Sequence, residues 1–286
     1  MNLARSVFVL LLASICSLAT AAKASNETGP LNLTRPVLSL GAGLEYETGD
    51  YGSGETIDTW RLPLLVEWFP VDRLSLRLEI PFVRQSGSSD AVLIGGSSTA
   101  TRGQGQGAKA ASSGAGASTL VRTSNSQSGL GDIKLNAAFS LLPKTAGMPR
   151  LLALLYAKFP TADEEKGLGT GAFDWGGGLG IGNNFGDWSS YAELFYIAAG
   201  SSDDFAPDPY LEWLAALSYR AGTRMRPGLA LSGGTAPFDD GEDPLEVRAQ
   251  LGILGGEQTS YSLAVSRGLS DGSPEWGLSV FAYFDF

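Results

Sequence analysis

The sequence predicts an all-β protein: a transmembrane, antiparallel, up-and-down β-barrel of about twelve strands. Three observations lead to this prediction. Apolar and polar residues alternate with a two-residue period in twelve runs of about nine to ten residues, the pattern of strands with one apolar face. Short connections alternate with generally longer ones, and aromatic residues gather at the ends of the runs, as they do in outer-membrane barrels.

The composition excludes several classes of function. The chain has 286 residues, a formal net charge of −10, no histidine and a single cysteine, Cys16. Without histidine there can be no Ser-His-Asp or Cys-His catalytic arrangement and no HExxH zinc site. One cysteine excludes disulfide frameworks and CxxC sites within the chain, and the acidic balance disfavours nucleic acid as a partner. We therefore expect no enzyme, no cofactor and no metal site.

The first residues are typical of an export signal. Arg5 precedes an apolar run over 7–18, and Ala19-Thr20-Ala21 fits an A-x-A cleavage site. The alternatives are an anchor helix, for which the run is shorter than the ~20 residues that a span needs, and lipidation at Cys16, which Ile15 disfavours. We predict a signal peptide over residues 1–21 and an N-terminal periplasmic segment over 22–35.

The barrel is predicted over residues 36–286, with each strand placed by its alternation. The first is typical: Leu40, Ala42 and Leu44 alternate with glycines and with Glu45. The predicted strands are 38–47, 60–68, 74–82, 133–141, 151–159, 173–181, 188–198, 211–219, 225–233, 245–253, 261–269 and 276–286. A soluble sandwich would show the same alternation with its apolar face inward. The alternation alone therefore does not indicate a membrane protein, and the aromatic residues at the strand ends are needed for that.

The girdle residues are outward-facing aromatics at both ends of the predicted strands. On the side of the long loops they are Tyr46, Trp60, Phe82, Phe159, Trp175 and Trp276, and on the side of the short turns they are Trp68, Trp188, Tyr219 and Tyr261. The last strand ends in Phe286, with Phe284 and Ala282 at alternate positions before it. We expect the barrel-insertion machinery of the outer membrane to recognise this strand.

The longest connection is a low-complexity segment over 85–127, rich in Gly, Ser and Ala. It is predicted to be an extracellular loop that is disordered, or that folds inward as a constriction or plug. Acidic runs in other loops, such as Asp163-Glu164-Glu165, suggest divalent cations that bridge to lipopolysaccharide. The alternative is that these acidic loops are simply solvated.

The alternation assigns many charged side chains to the barrel interior. The candidates for a selectivity region are Arg61, Arg77, Glu79, Lys134, Lys158, Glu193, Glu246 and Arg248, and the same face carries Glu67, Asp132, Asp174, Glu212, Arg226 and Glu275. They could line an aqueous path or form a packed ion-pair network in a narrow barrel. The apolar candidates of the interior are Tyr156, Tyr191, Phe195 and Phe281, which would line a route for hydrophobic or aromatic solutes unless the register is inverted.

Three motifs along the chain resemble those of one known family. Residues 128–135 resemble the "GLGD-hydrophobic" start of a strand, and 158–161 followed by 166–171 resemble the "K-hydrophobic-P-T-G … G-x-G-T-G" segment, in the phenol-degradation meta-pathway family of outer-membrane barrels. Glu79-Ile80-Pro81-Phe82 resembles an earlier strand end of that family. Ala162, where a glycine is usual, and the long 85–127 segment depart from the pattern. The resemblance implies an envelope barrel of a transporter-like type.

We therefore predict a channel in the outer membrane of a Gram-negative bacterium, in contact with lipid and lipopolysaccharide after removal of the signal peptide. It would allow passive passage of small solutes, hydrophobic or aromatic ones among the candidates. The alternative is a structural or surface-binding barrel with a plugged interior, whose function resides in its extracellular loops.

Overall fold

The computed structural model describes residues 36–51, 56–86, 91–94, 97–100, 126–142, 148–202, 206–238 and 241–286. The predicted signal peptide and the periplasmic segment over 22–35 lie outside the described residues. The strands are β1 (Leu38–Gly49), β2 (Ile57–Val71), β3 (Leu74–Ser86), β4 (Ala91–Ile94), β5 (Ser97–Ala100), β6 (Gln127–Leu130), β7 (Ile133–Ser140), β8 (Arg150–Phe159), β9 (Asp174–Phe185), β10 (Trp188–Ala198), β11 (Tyr210–Tyr219), β12 (Met225–Gly234), β13 (Leu245–Leu254), β14 (Thr259–Gly268) and β15 (Trp276–Asp285).

The strands form a closed antiparallel barrel with twelve positions in its wall. Successive strands of the wall pair with one another, and β1 pairs with β15 from Ser39 opposite Asp285 to Thr48 opposite Trp276. β6 and β7 share one position, because both pair with β3 and only residues 131–132 separate them. Closure leaves no long sheet edge, which is the condition for strands to cross hydrocarbon.

The two faces of the wall differ as the alternation predicts. Outward apolar side chains in the middle of strands are strongly exposed, 62% for Leu155 and 57% for Leu64, and alternate with buried inward residues. The predicted girdle residues lie on the outer face, where Tyr46 packs against Trp60 with ring centroids 4.6 Å apart, and Trp188 packs against Tyr219 at 5.0 Å. The apolar outer belt confirms the transmembrane barrel.

The two ends of the barrel also differ. Connections of two to nine residues join the strands at one end, such as residues 72–73 and 186–187, and we call this end the turn side. The opposite end, the loop side, carries connections of seven residues or more, among them residues 160–173 and 235–244. The described residues include no helix with the length and hydropathy needed to span a membrane.

β2 and β9 are longer than predicted, since β2 covers Ile57–Val71 and β9 continues to Phe185. The structure also departs from the prediction at the low-complexity segment. β3 continues to Ser86 and β6 pairs with its end, as Gln85 opposite Gln127. Within the segment itself, β4 and β5 form a separate two-stranded hairpin. The segment expected as one loop therefore contains strand residues at both ends and a hairpin of its own, and its remainder lies outside the described residues.

Candidate functional site: the barrel interior

In the first hairpin, β1 and β2, an inward-facing arginine lies close to two glutamates. Glu45 lies opposite Arg61 in the ladder of β1 and β2, so that both side chains point inward. Arg61 Nη2 lies 2.6 Å from Glu47 Oε2, and its Nε lies 3.2 Å from Glu45 Oε2. All three side chains are buried. One cation thus compensates two carboxylates in a place with little water, where isolated charges are costly.

Three further ion pairs continue this charged part of the wall. Arg248 Nη2 donates to Glu246 Oε1 at 2.7 Å, along the inner face of β13. Lys134 Nζ lies 3.7 Å from Glu79 Oε1, its direct partner across β3 and β7.

Nearer the turn side, Arg77 Nη2 donates to Glu67 Oε2 at 2.9 Å. The charged wall therefore comprises β1, β2, β3, β7 and β13.

A second cation cluster lies at the loop side of β8. Lys158 Nζ lies 2.7 Å from Asp174 Oδ2 and 3.5 Å from Asp132 Oδ2, and it donates to Thr170 Oγ1 at 2.8 Å. Lys158 is inaccessible to water. The cluster joins three parts of the chain: the break between β6 and β7, the start of β9 and the connection between β8 and β9.

That connection, residues 160–173, folds into the loop-side mouth of the barrel, and we call it the inward loop. Leu168 and Thr170 are each only 1% exposed, and Leu168 packs against Val83 on the inner face of β3. The outer part of the loop, Glu164–Lys166, is a single exposed 3-10 turn. Asp163 caps this turn, and its hydrogen bond with Lys166 lowers the pKa of the exposed carboxyl.

The opposite wall of the interior is apolar. Its buried side chains come mostly from β8, β10 and β11 and extend from the turn side to the loop side: Leu152, Leu154, Tyr156, Tyr191, Phe195, Ile197, Tyr210, Leu214, Ala216 and Ala230. A smaller cluster of Leu65, Phe281 and Tyr283 lies across β2 and β15. The interior thus has a charged side and an apolar side.

Glycines make room for the rings of the apolar wall. β9 presents Gly176, Gly178 and Gly180 inward between β8 and β10. A Cβ on Gly178 would lie 2.9 Å from Phe195 Cγ, and one on Gly180 would lie 2.9 Å from the Tyr191 hydroxyl. These rings can pack close to the strand because the glycines have no side chains.

The structure places all twelve candidate residues of the interior on the inner face, where each is buried. It brings together Glu79 with Lys134, Glu246 with Arg248, and Tyr191 with Glu193, whose Oε2 accepts a 2.6 Å hydrogen bond from the tyrosine hydroxyl. The candidate set is not one cluster. It divides between the charged wall, the cluster at Lys158 and the apolar wall.

One inward assignment is wrong. Glu275 lies in the loop before β15 with its side chain 59% exposed, near Arg267 on the outer face. The alternation fails there because the strand begins only at Trp276. The candidate set also omitted Glu45, Glu47 and the inward loop. The two-residue period carried the signal for both glutamates, whereas the burial of Leu168 has no local signal.

The interior contains more carboxylates than cationic groups. Among the described residues, the buried side chains include ten carboxylates and five cationic groups. Glu47, Lys158 and Glu246 are fully inaccessible to water, so the interior is narrow and filled at their level. The part of the chain that the structure describes contains no group of three or more side chains that could hold a metal ion.

Comparisons with known proteins agree with this architecture. A family described as "Putative MetA-pathway of phenol degradation" matches residues 68–286. The COG4313 outer membrane channel from Pseudomonas putida F1 superposes with a TM-score of 0.63 at 17% identity, covering 88% of this chain and 96% of that chain.

Two further structures are similar in fold. The transport unit of the autotransporter AIDA-I from Escherichia coli has a TM-score of 0.52 at 9% identity, over 90% of this chain and 92% of its own. The KdgM porin has a TM-score of 0.51 at 8% identity, over 86% and 99%. At these identities the likenesses show a common outer-membrane β-barrel fold. The curated protein sequences contain no match.

Proposed function

The chain belongs to the family of the putative MetA pathway of phenol degradation, and on this premise we propose that it is an outer-membrane channel for the passive passage of small solutes. The observation that carries the proposal is the division of the interior. A mainly apolar wall of β8, β10 and β11, interrupted by Glu193 and Glu212, faces a charged wall, so that a small hydrophobic or aromatic molecule would find a path with one mainly apolar side. The similar structure from Pseudomonas putida F1 is itself described as an outer membrane channel.

The same features argue for a role without chemistry and for a place in the outer membrane. The sequence has no histidine to activate a nucleophile, and interior carboxylates such as those of Glu47, Asp174 and Glu246 are engaged with arginine and lysine. The apolar outer belt would contact outer-membrane lipid, with the loop side toward lipopolysaccharide. The acidic residues 163–165 are exposed there, in the position that cation-bridged contacts would need.

Reconstitution tests the channel. The full chain would be folded into planar bilayers and into liposomes, with its barrel state checked by heat-modifiable migration on gels. We expect small discrete conductance steps, and liposome uptake of a small aromatic solute that exceeds uptake of a sugar of similar size. Well-folded protein that gives neither conductance nor solute flux contradicts the proposal.

A second candidate function has one observation in its favour. Because Glu47, Lys158 and Glu246 are inaccessible to water, the interior resembles a closed core. A closed core is sufficient for a structural or surface-binding barrel, which needs no path for solutes. Deletion of residues 86–126 separates the two functions. Unchanged permeability with loss of surface binding favours the binding barrel, whereas raised conductance favours a gated pore.

A further inference from the structure

The inward loop enters the barrel mouth in two parts with different attachments. Its first part is joined to the wall where β6 and β7 are interrupted. Asp132 Oδ1 accepts hydrogen bonds from the backbone N–H of Thr161 at 3.1 Å and of Ala162 at 3.0 Å. The Thr161 hydroxyl donates to the Gly131 carbonyl and accepts from the Ile133 N–H, both at 2.9 Å. This part therefore replaces a strand partner for the broken wall position.

The second part, Leu168-Gly169-Thr170, is the loop tip, and it is buried inside the mouth. It is held by side-chain contacts rather than by a strand ladder: Lys158 Nζ donates to Thr170 Oγ1, and Leu168 packs on Val83. A Cβ on Gly129 would lie only 3.0 Å from Leu168 Cδ1, so the tip also touches β6.

Glycines with left-handed backbone flank the tip. Gly167 has φ 69° and Gly171 has φ 67°, which side chains larger than hydrogen disfavour. Such residues can absorb the backbone rotations of a moving segment. A solute that enters from the loop side along β3 meets the tip, because the tip lies against the inner face of that strand within the mouth.

We propose that the inward loop is the constriction of the channel, with Leu168 as the narrowing side chain and Lys158 as the positioning residue that holds the tip closed. This inference rests on the proposed channel function. Displacement of the tip breaks the hydrogen bond from Lys158 to Thr170 and the contact of Leu168 with Val83, and it leaves the attachment at Asp132 in place. The hydrogen bond that the Lys158 ammonium group donates to Thr170 therefore sets the fraction of time that the mouth is open.

A reversible tether tests the closed position. In a Cys16→Ser background the chain has no other cysteine, so Gly129→Cys with Leu168→Cys forms the one possible disulfide. We expect oxidation to lower single-channel conductance or open probability several-fold, and reduction to restore it. The matched control is Ser189→Cys with Ser218→Cys, which are direct partners on the inner faces of β10 and β11 away from the loop; its oxidation should leave conductance unchanged.

The outcomes separate the two proposals. If the reduced protein conducts and a disulfide confirmed by mass spectrometry does not change the current, the constriction is elsewhere and the inference is wrong. If neither wild type nor any reduced variant conducts or passes solute, the channel function itself fails and the inference fails with it.

Release of the tip is the complementary test. Thr170→Val removes the acceptor of Lys158 and keeps the size of the side chain, so we expect the open-to-closed ratio to rise roughly tenfold, the value of one hydrogen bond to a charged group. Thr223→Val, in an exposed turn on the turn side, is the control. Lys158→Met should act in the same direction, and Thr170→Val keeps the test valid if that variant does not fold.

The readout includes a quantity that a purely structural role would not change. A single cysteine at Leu168→Cys reports tip movement through its rate of modification by a membrane-impermeant thiol reagent. We expect this rate to rise with Thr170→Val by about the same factor as the open-to-closed ratio, and to stay unchanged with the control Thr223→Val. Equal modification rates of Leu168→Cys with and without Thr170→Val would overturn the role assigned to Lys158.

Discussion

Arg61 lies 2.6 Å from Glu47 inside the barrel, and neither side chain is accessible to bulk water. The arginine also compensates Glu45, whose Oε2 is 3.2 Å from its Nε. A buried pair of this kind need not add net stability, because desolvation offsets attraction. Removal of one member is a different matter, since it leaves the remaining charges buried without a counterion.

We predict that Arg61→Met lowers the free energy of unfolding by about 3–5 kcal/mol, the range for breaking a buried ion pair. Urea unfolding of vesicle-inserted protein, followed by tryptophan fluorescence, measures it. Arg220→Met is the control: its pair with Asp187 is exposed, and such pairs contribute ~0–1 kcal/mol. Equal midpoints for the two variants would show that water reaches the interior at Arg61.

Packing of rings over glycine leads to a second prediction. A Cβ on Gly41 would lie 2.7 Å from Tyr283 Cδ1, and one on Gly43 would overlap the ring of Phe281 more closely still. Gly43→Ala should therefore destabilise the barrel by about 1–3 kcal/mol, the cost of overpacking.

The control for Gly43→Ala is Gly177→Ala. The nearest atom to a Cβ on Gly177 is 3.8 Å away, so a change within ~0.5 kcal/mol is expected. The same urea titration measures both variants. If Gly43→Ala is as stable as wild type, the ring of Phe281 does not occupy the place assigned to it.

The strands were predictable because their signal is local. β10 begins and ends at the predicted residues, Trp188 and Ala198, since each inward or outward side chain there follows the two-residue period. β6 was not predicted, because Gln127–Leu130 has no apolar alternation and is a strand only through its pairing with the end of β3.

Charged side chains of the interior could be predicted where they follow the two-residue period. Contacts between residues distant in sequence could not be predicted in this way. Glu79 and Lys134 could be expected to face inward, and their neighbouring strands implied proximity. The burial of Leu168 depends on Val83, which is far away along the chain. A lone leucine among glycines carries no period, so the inward loop could be recognised only as a motif of the family.

Depth in the bilayer provides a third prediction. Leu155 lies near the middle of β8 on the outer face and is 62% exposed. Leu155→Arg should lower the free energy of unfolding from vesicles by ~2–4 kcal/mol, the cost of a cation near the bilayer midplane.

Leu269→Arg is the comparison for depth, because Leu269 follows β14 at the loop side. There the expected cost falls to ~0–1 kcal/mol. Reversible unfolding of both variants from vesicles measures the difference. Equal costs at the two positions would contradict the assignment of the outer belt to hydrocarbon.

The excess of buried carboxylates over cationic groups leads to the last prediction, ion selectivity. A narrow interior of low dielectric focuses the field of its charges, so the open channel should prefer cations.

Glu246→Gln tests this preference, because it keeps an oxygen that can accept a hydrogen bond from Arg248 and removes one negative charge. We expect the cation-to-anion permeability ratio to fall at least about fivefold, because the ~1 kcal/mol of a unit charge at 4 Å in bulk water is the lower bound for a site of lower dielectric. Reversal potentials across a salt gradient measure the ratio, and Glu257→Gln in the exposed turn between β13 and β14 should leave it unchanged. An anion-selective wild type would mean that the five cationic groups, and not the carboxylates, face the permeating ion.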